Sequence, residues 1–179
     1  TRICTLLERP IQVGRATTDS DSRLFVLMAG IGFDGQAVHT VRPREKQLLG
    51  IGAYILAGIR SLYTWSPPLL TVQLQEDTYQ ASTLVLTNCS RYGGPFRLTS
   101  FSGLFGGGLS MITFTAQGPF ALLAAMFRQV MPTALRQPRV PVSQSLQVQG
   151  IAPIQLDGDP FGRSPVTIDI LTNYVRLIC

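Results

Sequence analysis

The sequence predicts a mainly β protein, a two-layer β-sandwich-like domain with one or two helices. Three observations predict it. Nine short apolar runs, alternating or continuous, are separated by clusters of polar turn residues. Only two segments sustain a helical period. Strands and helices do not alternate as a parallel βαβ sheet would require.

In chain order, Arg2–Leu7 reads as the tail of a helix and Ile11–Arg15 as the first strand. Arg23–Ala29 follows after the turn Asp19-Ser20-Asp21. The stronger helix runs from Pro43 to Tyr63, with Leu48, Ile51, Ile55, Ile59 and Leu62 on one stripe. Pro43 suits its first turn, and Glu45 meets the positive end of the helix dipole. Ser66-Pro67-Pro68 ends it, and strands follow at Leu69–Leu74 and Ser82–Thr87 around Gln75-Glu76-Asp77. Leu109–Thr115 is the next strand. A second helix is expected at Pro119–Met131, where Phe120, Leu123, Phe127 and Val130 share a face and Pro132 stops it. Arg136–Pro141 reads as a long loop. The closing strands are Ser145–Val148, Ile154–Asp157, Val166–Leu171 and Tyr174–Ile178, with a turn at Asp159-Pro160.

Composition narrows the function classes. The chain has 179 residues, enough for one domain, with 45% apolar and only 14% charged residues. So little charge implies apolar surface covered by another domain, a partner or a lipid. The longest apolar run, Leu48–Ile59, is about half the roughly 20 residues that span a bilayer. Net charge is +5, and fourteen of the fifteen bases are arginine, whose planar fork suits phosphate. An anionic membrane surface is compatible with this balance. The bases are scattered without aromatic interleaving, which argues against nucleic acid. Cys4, Cys89 and Cys179 lack metal or disulfide spacing and read as reduced thiols of a cytoplasmic protein. The start at Thr1 reads as a piece of a longer protein.

Four stretches carry candidate chemistry. Gly30-Ile31-Gly32-Phe33-Asp34-Gly35 fits a dinucleotide fingerprint formally, but Pro43 is read as interrupting the required helix and no acid follows about 20 residues on. A structural turn is favoured, with Asp34 placed to face a cleft. Asn88 ends a strand before Gly93-Gly94, where backbone can approach a ligand closely; from these residues alone an ordinary hairpin turn, with Asn88 bonding its own backbone, is favoured. Gly106-Gly107-Gly108 lacks the Gly-Lys-Ser/Thr of a phosphate loop and reads as a bend. Asp157-Gly158-Asp159 sets two carboxylates about a glycine at a strand end. They could hold Mg²⁺ through water or take a hydroxyl proton, whereas Asp-Gly is also ordinary hairpin chemistry. His39 is the single histidine, so a histidine metal or catalytic cluster lacks material.

The order of these motifs resembles the C-terminal domain of the diacylglycerol kinase and bacterial lipid kinase family, related to sphingosine and NAD kinases. Phe25–Asp34 looks like the family's entry to its second domain, and Lys46–Gly50 with Ala53-Tyr54-Ile55 like the helix after it. Leu86-Thr87-Asn88 with Gly93-Gly94 resembles its Asn-then-Gly-Gly element. Asp157-Gly158-Asp159 stands where the family has Asp-Gly-Glu. The similarity runs from about Ile11 to Ile178.

The resemblance implies that residues 1–179 are the substrate-side β domain of an ATP-dependent kinase acting on a lipid hydroxyl, diacylglycerol-like. An N-terminal nucleotide-binding α/β domain would complete the cleft, so this piece alone would be inactive. Asp159 would be the base. Asp157, Gly158, Asp159 and Lys46 would meet ATP, and Asp34, Asn88, Gly93 and Gly94 would shape the substrate cleft. ATP and Mg²⁺ would serve the complete protein, with none held tightly by this chain. The family's acidic Mg²⁺ loop corresponds to Phe105–Ser110, which has no carboxylate, so no metal site is expected. Localisation would be cytoplasmic, with peripheral membrane attachment and homodimerisation compatible. The alternatives are a non-catalytic lipid-binding or interaction domain, or a kinase for a sphingoid base or a nicotinamide dinucleotide.

Overall fold

The computed structural model describes residues 8–92, 96–97, 109–130 and 139–178. The chain opens with strands β1 (Glu8–Thr17), β2 (Ser22–Phe25) and β3 (Met28–Gly32). Three helices follow: α1 (Phe33–His39), α2 (Pro43–Leu49) and α3 (Ile51–Thr64). Next come β4 (Leu70–Leu74), β5 (Asp77–Ala81), β6 (Thr83–Thr87) and the two-residue strands β7 (Arg91–Tyr92) and β8 (Phe96–Arg97). Strand β9 (Leu109–Phe114) leads to α4 (Pro119–Val130). The chain closes with β10 (Val140–Val142), β11 (Leu146–Gln149), β12 (Pro153–Leu156), β13 (Asp159–Arg163) and β14 (Val166–Ile178).

The predicted sandwich is present. One antiparallel sheet has the order β2-β1-β14-β11-β4-β5 and the other β10-β9-β6-β3-β12-β13. Phe25, Ile31, Leu70, Leu84, Leu86, Leu146, Ile154 and Ile168 fill the space between them. On the outer face of the second sheet, Val85 and Ile112 pack with Phe33, Trp65, Leu122 and Ala125, so helices cover that face. This is why β6 is apolar without a break: Leu84 and Leu86 face the other sheet and Val85 the helices.

Among the described residues the chain switches sheets within one to three residues at five corners, and at four of them polar side chains satisfy the backbone. Ser82, between β5 and β6, points its Oγ at the Phe114 and Ala116 carbonyls, 3.0 and 2.8 Å away. Ser164 serves two corners: its Oγ accepts from Ala152 N at 3.0 Å and donates to Gly150 O at 2.8 Å. The fourth corner, Val26-Leu27, belongs to the candidate site. Predicted strand Arg23–Ala29 is therefore two strands in different sheets. The two predicted strands after Val166 are one, β14, with an irregular register against β1 where Asn173 takes φ 56°.

Other departures have local reasons. The Pro43–Tyr63 helix is divided at Gly50 (φ 53°), giving α2 and α3. Arg60 of α3 reaches back across this joint to Glu45 at 2.9 Å. Its hydrogen bond and charge hold the Glu45 carboxyl below the ordinary value, so this link is present above the usual Glu range and is lost on acidification. A helix does open after Gly32: α1, unforeseen and only seven residues long. The predicted Asp159-Pro160 turn is a strand, β13, and the reversal lies at Asp157-Gly158. Part of the predicted Arg136–Pro141 loop is strand β10, held on β9; 136–138 lie outside the described residues, as does the predicted helix tail at 2–7.

Candidate functional site

Three elements of the second sheet and its helical cover bring the site together. Strand β3 ends in Gly30-Ile31-Gly32, and α1 starts at once, with Phe33 N donating to Thr83 Oγ1 at 3.3 Å. Phe33 meets Trp65 edge-to-face at 5.6 Å. One residue on, Asp34 is buried and its carboxylate lies over Gly30. A methyl at Gly30 would occupy the space of Asp34 Oδ2 and press on Gln155 Nε2. Gly30→Ala is therefore expected to cost about 1–3 kcal/mol and displace Asp34, which a denaturant midpoint and the Asp34-dependent binding below would both register.

Gln155 links Asp34 to the β12–β13 turn. Ile154 and Leu156 face the sheet–sheet core, so Gln155 must face the helices. Its Nε2 donates to Asp34 Oδ2 at 2.7 Å, and its Oε1 accepts from Gly158 N at 2.8 Å. Tyr54 of α3 donates its hydroxyl to Gly158 O at 3.2 Å. The turn itself is a two-residue hairpin loop, Asp157 and Gly158 at φ 51° and 87°, between the paired Leu156 and Asp159. Both positive values suit the twist of the flanking strands and explain Asp-Gly here.

Asp157 does structural work at the fourth corner. Its carboxylate accepts from Val26 N, Leu27 N and Met28 N, each at 2.8 Å, while Asp157 N donates to Met28 O at 2.9 Å. From the other side, Asn88 Nδ2 donates to Gln12 O at 2.6 Å and Val26 O at 3.1 Å, and Asn88 N donates to Leu27 O at 2.9 Å. The Val26-Leu27 bend is thus held at its donors by the Asp157 carboxylate and at its acceptors by the side chain and backbone N–H of Asn88. Cys89, beside Asn88, is partly buried, and burial followed by the Asp157 charge pushes its thiol up. It is a neutral packing group near neutral pH.

A cavity of about 390 Å³ opens beside this cluster. Leu27, Phe33, Val38, Ile55 and Met126 give it apolar walls, while Asp34, Gln155 and the Asp157-Gly158 turn form one polar patch. A long apolar ligand with one polar group matches that division.

The structure brings Asp34, Asp157 and Gly158 to this cavity, with Asp159 one residue past the turn at the exposed start of β13. It does not bring Asn88 there: that side chain is buried and its amide serves the corner. Lys46 lies on α2, its side chain beyond what is described. Gly93, Gly94 and the loop at 105–108 lie outside the described residues. Sequence reasoning missed Gln155 and Tyr54. The signal for Gln155 was an amide inside an apolar strand, on the face opposite Ile154 and Leu156.

No group of three or more metal-ligating side chains occurs among the described residues. The Asp157 carboxylate is engaged by three backbone donors.

Comparison with curated proteins finds no match. Two solved structures from Bacillus anthracis str. Sterne are similar. One has a TM-score of 0.67 at 18% identity, covering 96% of this chain and 57% of the other. The second, described as a diacylglycerol kinase, has a TM-score of 0.63 at 18% identity, again over 96% and 57%. The fold is shared, and this chain spans little more than half the length of either. Residues 28–179 also match a family model described as the YegS C-terminal NAD kinase beta sandwich-like domain. The chain belongs to that family.

Proposed function

We propose that this domain is the substrate-side part of an ATP-dependent lipid kinase whose acceptor is a diacylglycerol-like hydroxyl. The observation that carries the reading is the apolar cavity with buried Asp34 and the Asp157-Gly158 turn at one wall. The similar structure described as a diacylglycerol kinase supports it. Acyl chains lie along Leu27, Val38, Ile55 and Met126, and the polar head meets the Asp34–Gln155 pair. Mg-ATP, held mainly by a domain outside this chain, supplies the γ-phosphoryl group. As the lipid oxygen bonds to phosphorus, the bond to the departing ADP breaks and the hydroxyl proton passes to Asp159. Asp157 supports that residue from the corner and takes no part in the transfer.

The test is expression of the complete reading frame and an assay of ATP-dependent phosphorylation over a panel of diacylglycerols, sphingoid bases and nicotinamide dinucleotide. Diacylglycerol is expected to be the best acceptor. Asp34→Asn is expected to raise KM for lipid about tenfold with a smaller change in kcat. A second reading, a non-catalytic lipid-binding domain, draws on the engagement of Asp157 by backbone and the short side chain of Asp159. Both readings predict saturable lipid binding. Only the first predicts phosphate transfer, and its absence from the complete protein across the panel would decide for the second.

A further inference from the structure

Helix α3 is amphipathic in an inverted sense. Its inward stripe is small: Ala53 and Ala57 are fully buried, with Ser61 below them. Apart from Leu62, which packs inward, its large aliphatic side chains and Tyr63 face out, Ile55, Leu56 and Ile59 at 39–55% exposure and Tyr63 at 88%. Leu48 on α2 is 84% exposed, and Leu49 lies beside it. Helix α4 buries Leu122 and Ala125 but also exposes the large apolar side chains Phe120 and Leu123. Eight of the thirteen exposed large apolar residues among those described sit on these three helices. A surface whose only solvent is water would reverse this arrangement.

Position gives the surface a meaning. Ile55 and Gly58 of α3 and Met126 of α4 line the cavity, as does half-exposed Leu27, so the outward apolar side chains border its mouth. Arg42 and Arg44, both exposed, stand at the start of α2. Among the described residues no helix is long and apolar enough to cross a membrane, so the element can lie in an interface but not span it.

We infer that α2, the outer face of α3 and α4 together form a membrane-docking surface that seats the cavity mouth on an anionic bilayer. Apolar side chains enter the acyl boundary while Arg42 and Arg44 meet lipid phosphates. A lipid can then pass between bilayer and cavity without its chains crossing water. The inference deepens the lipid reading above, but the docking itself does not require catalysis.

The test uses the complete protein and flotation with vesicles of phosphatidylcholine alone or mixed equally with phosphatidylglycerol. The wild type is expected to float with the mixed vesicles, less so at high salt as screening weakens the arginine contribution. Leu48→Ser combined with Ile59→Ser is expected to lower the vesicle partition coefficient at least about tenfold, since two exposed apolar side chains no longer enter the acyl boundary. Its unfolding midpoint and its activity on a short-chain diacylglycerol in detergent micelles are expected to stay at wild-type values, because neither residue lines the cavity. Arg44→Glu is expected to remove the preference for anionic vesicles. Flotation of the double variant at the wild-type level would overturn the inference. So would a wild type that stays off vesicles, including the case where the substitutions instead dissociate a dimer or loosen a neighbouring domain. Docking without phosphorylation of any lipid would keep the inference and remove the kinase reading.

Discussion

Asparagine in place of Asp159 is expected to lower lipid-dependent turnover of the complete protein by about a hundredfold to ten-thousandfold, the range general-base catalysis supplies. The substitution removes the proposed proton acceptor and keeps size and shape. Because Asp159 is exposed at the start of edge strand β13, the unfolding free energy is expected to move by no more than about 0.5 kcal/mol. KM for lipid should change little, since the cavity lining is intact. Asp159→Glu provides the complementary arm. It lengthens the side chain by one methylene, to the Asp-Gly-Glu that the sequence resemblance implies, and turnover is expected to equal or exceed wild type. Steady-state kinetics of the three proteins, with matched denaturation curves, check the whole set. Unchanged turnover in Asp159→Asn would take this residue out of the mechanism.

Asp157→Ala is expected to act two residues away through a different cause. Three backbone N–H groups lose a charged acceptor at 2.8 Å, and the turn loses a residue tolerant of its positive φ. Hydrogen bonds to charged groups contribute about 1.5–3 kcal/mol each, and water reaching the exposed edge of the bend offsets part of that sum. A loss near 3 kcal/mol is expected, read as a lower urea midpoint at constant slope. Asp157→Asn, which tolerates the same backbone and keeps one acceptor oxygen, should lose about half as much. Wild-type stability in both variants would show that the corner is held without this carboxylate. The two neighbouring acids are thus separable, one reporting in kinetics and the other in the denaturation curve.

The sandwich was legible because its main determinants are local. Strand β6 is an unbroken apolar run, and the turn residues around it stand where the chain reverses. What escaped reading depends on partners far along the chain. Nothing near Val26-Leu27 marks a sheet crossing, since the groups that bend it are Asp157 and Asn88. Helix α1 is too short for a period to emerge, and its Gly35 weakens the local signal. For α3, periodicity located the stripe of Ile55 and Ile59 without revealing that it faces outward. The small residues Ala53, Ala57 and Ser61 recur at the same four-residue interval, so the sequence carries two stripes, and tertiary packing selected the small one. At the site, Asp34 was found from its glycine setting. Gln155 needed the face assignment of β12, which only its place between β3 and β13 provides.

The doubly clamped bend between the sheets has a consequence for how such a protein can change over time. Position 157 is tied to the scaffold, so a mutation there threatens the fold before it can explore new chemistry. Position 159 stands exposed at the start of an edge strand, and a lineage can retune acidity or reach there while the framework persists. Divergence in catalytic power among such domains should therefore be sought at the second acid, with the first behaving as a masonry joint.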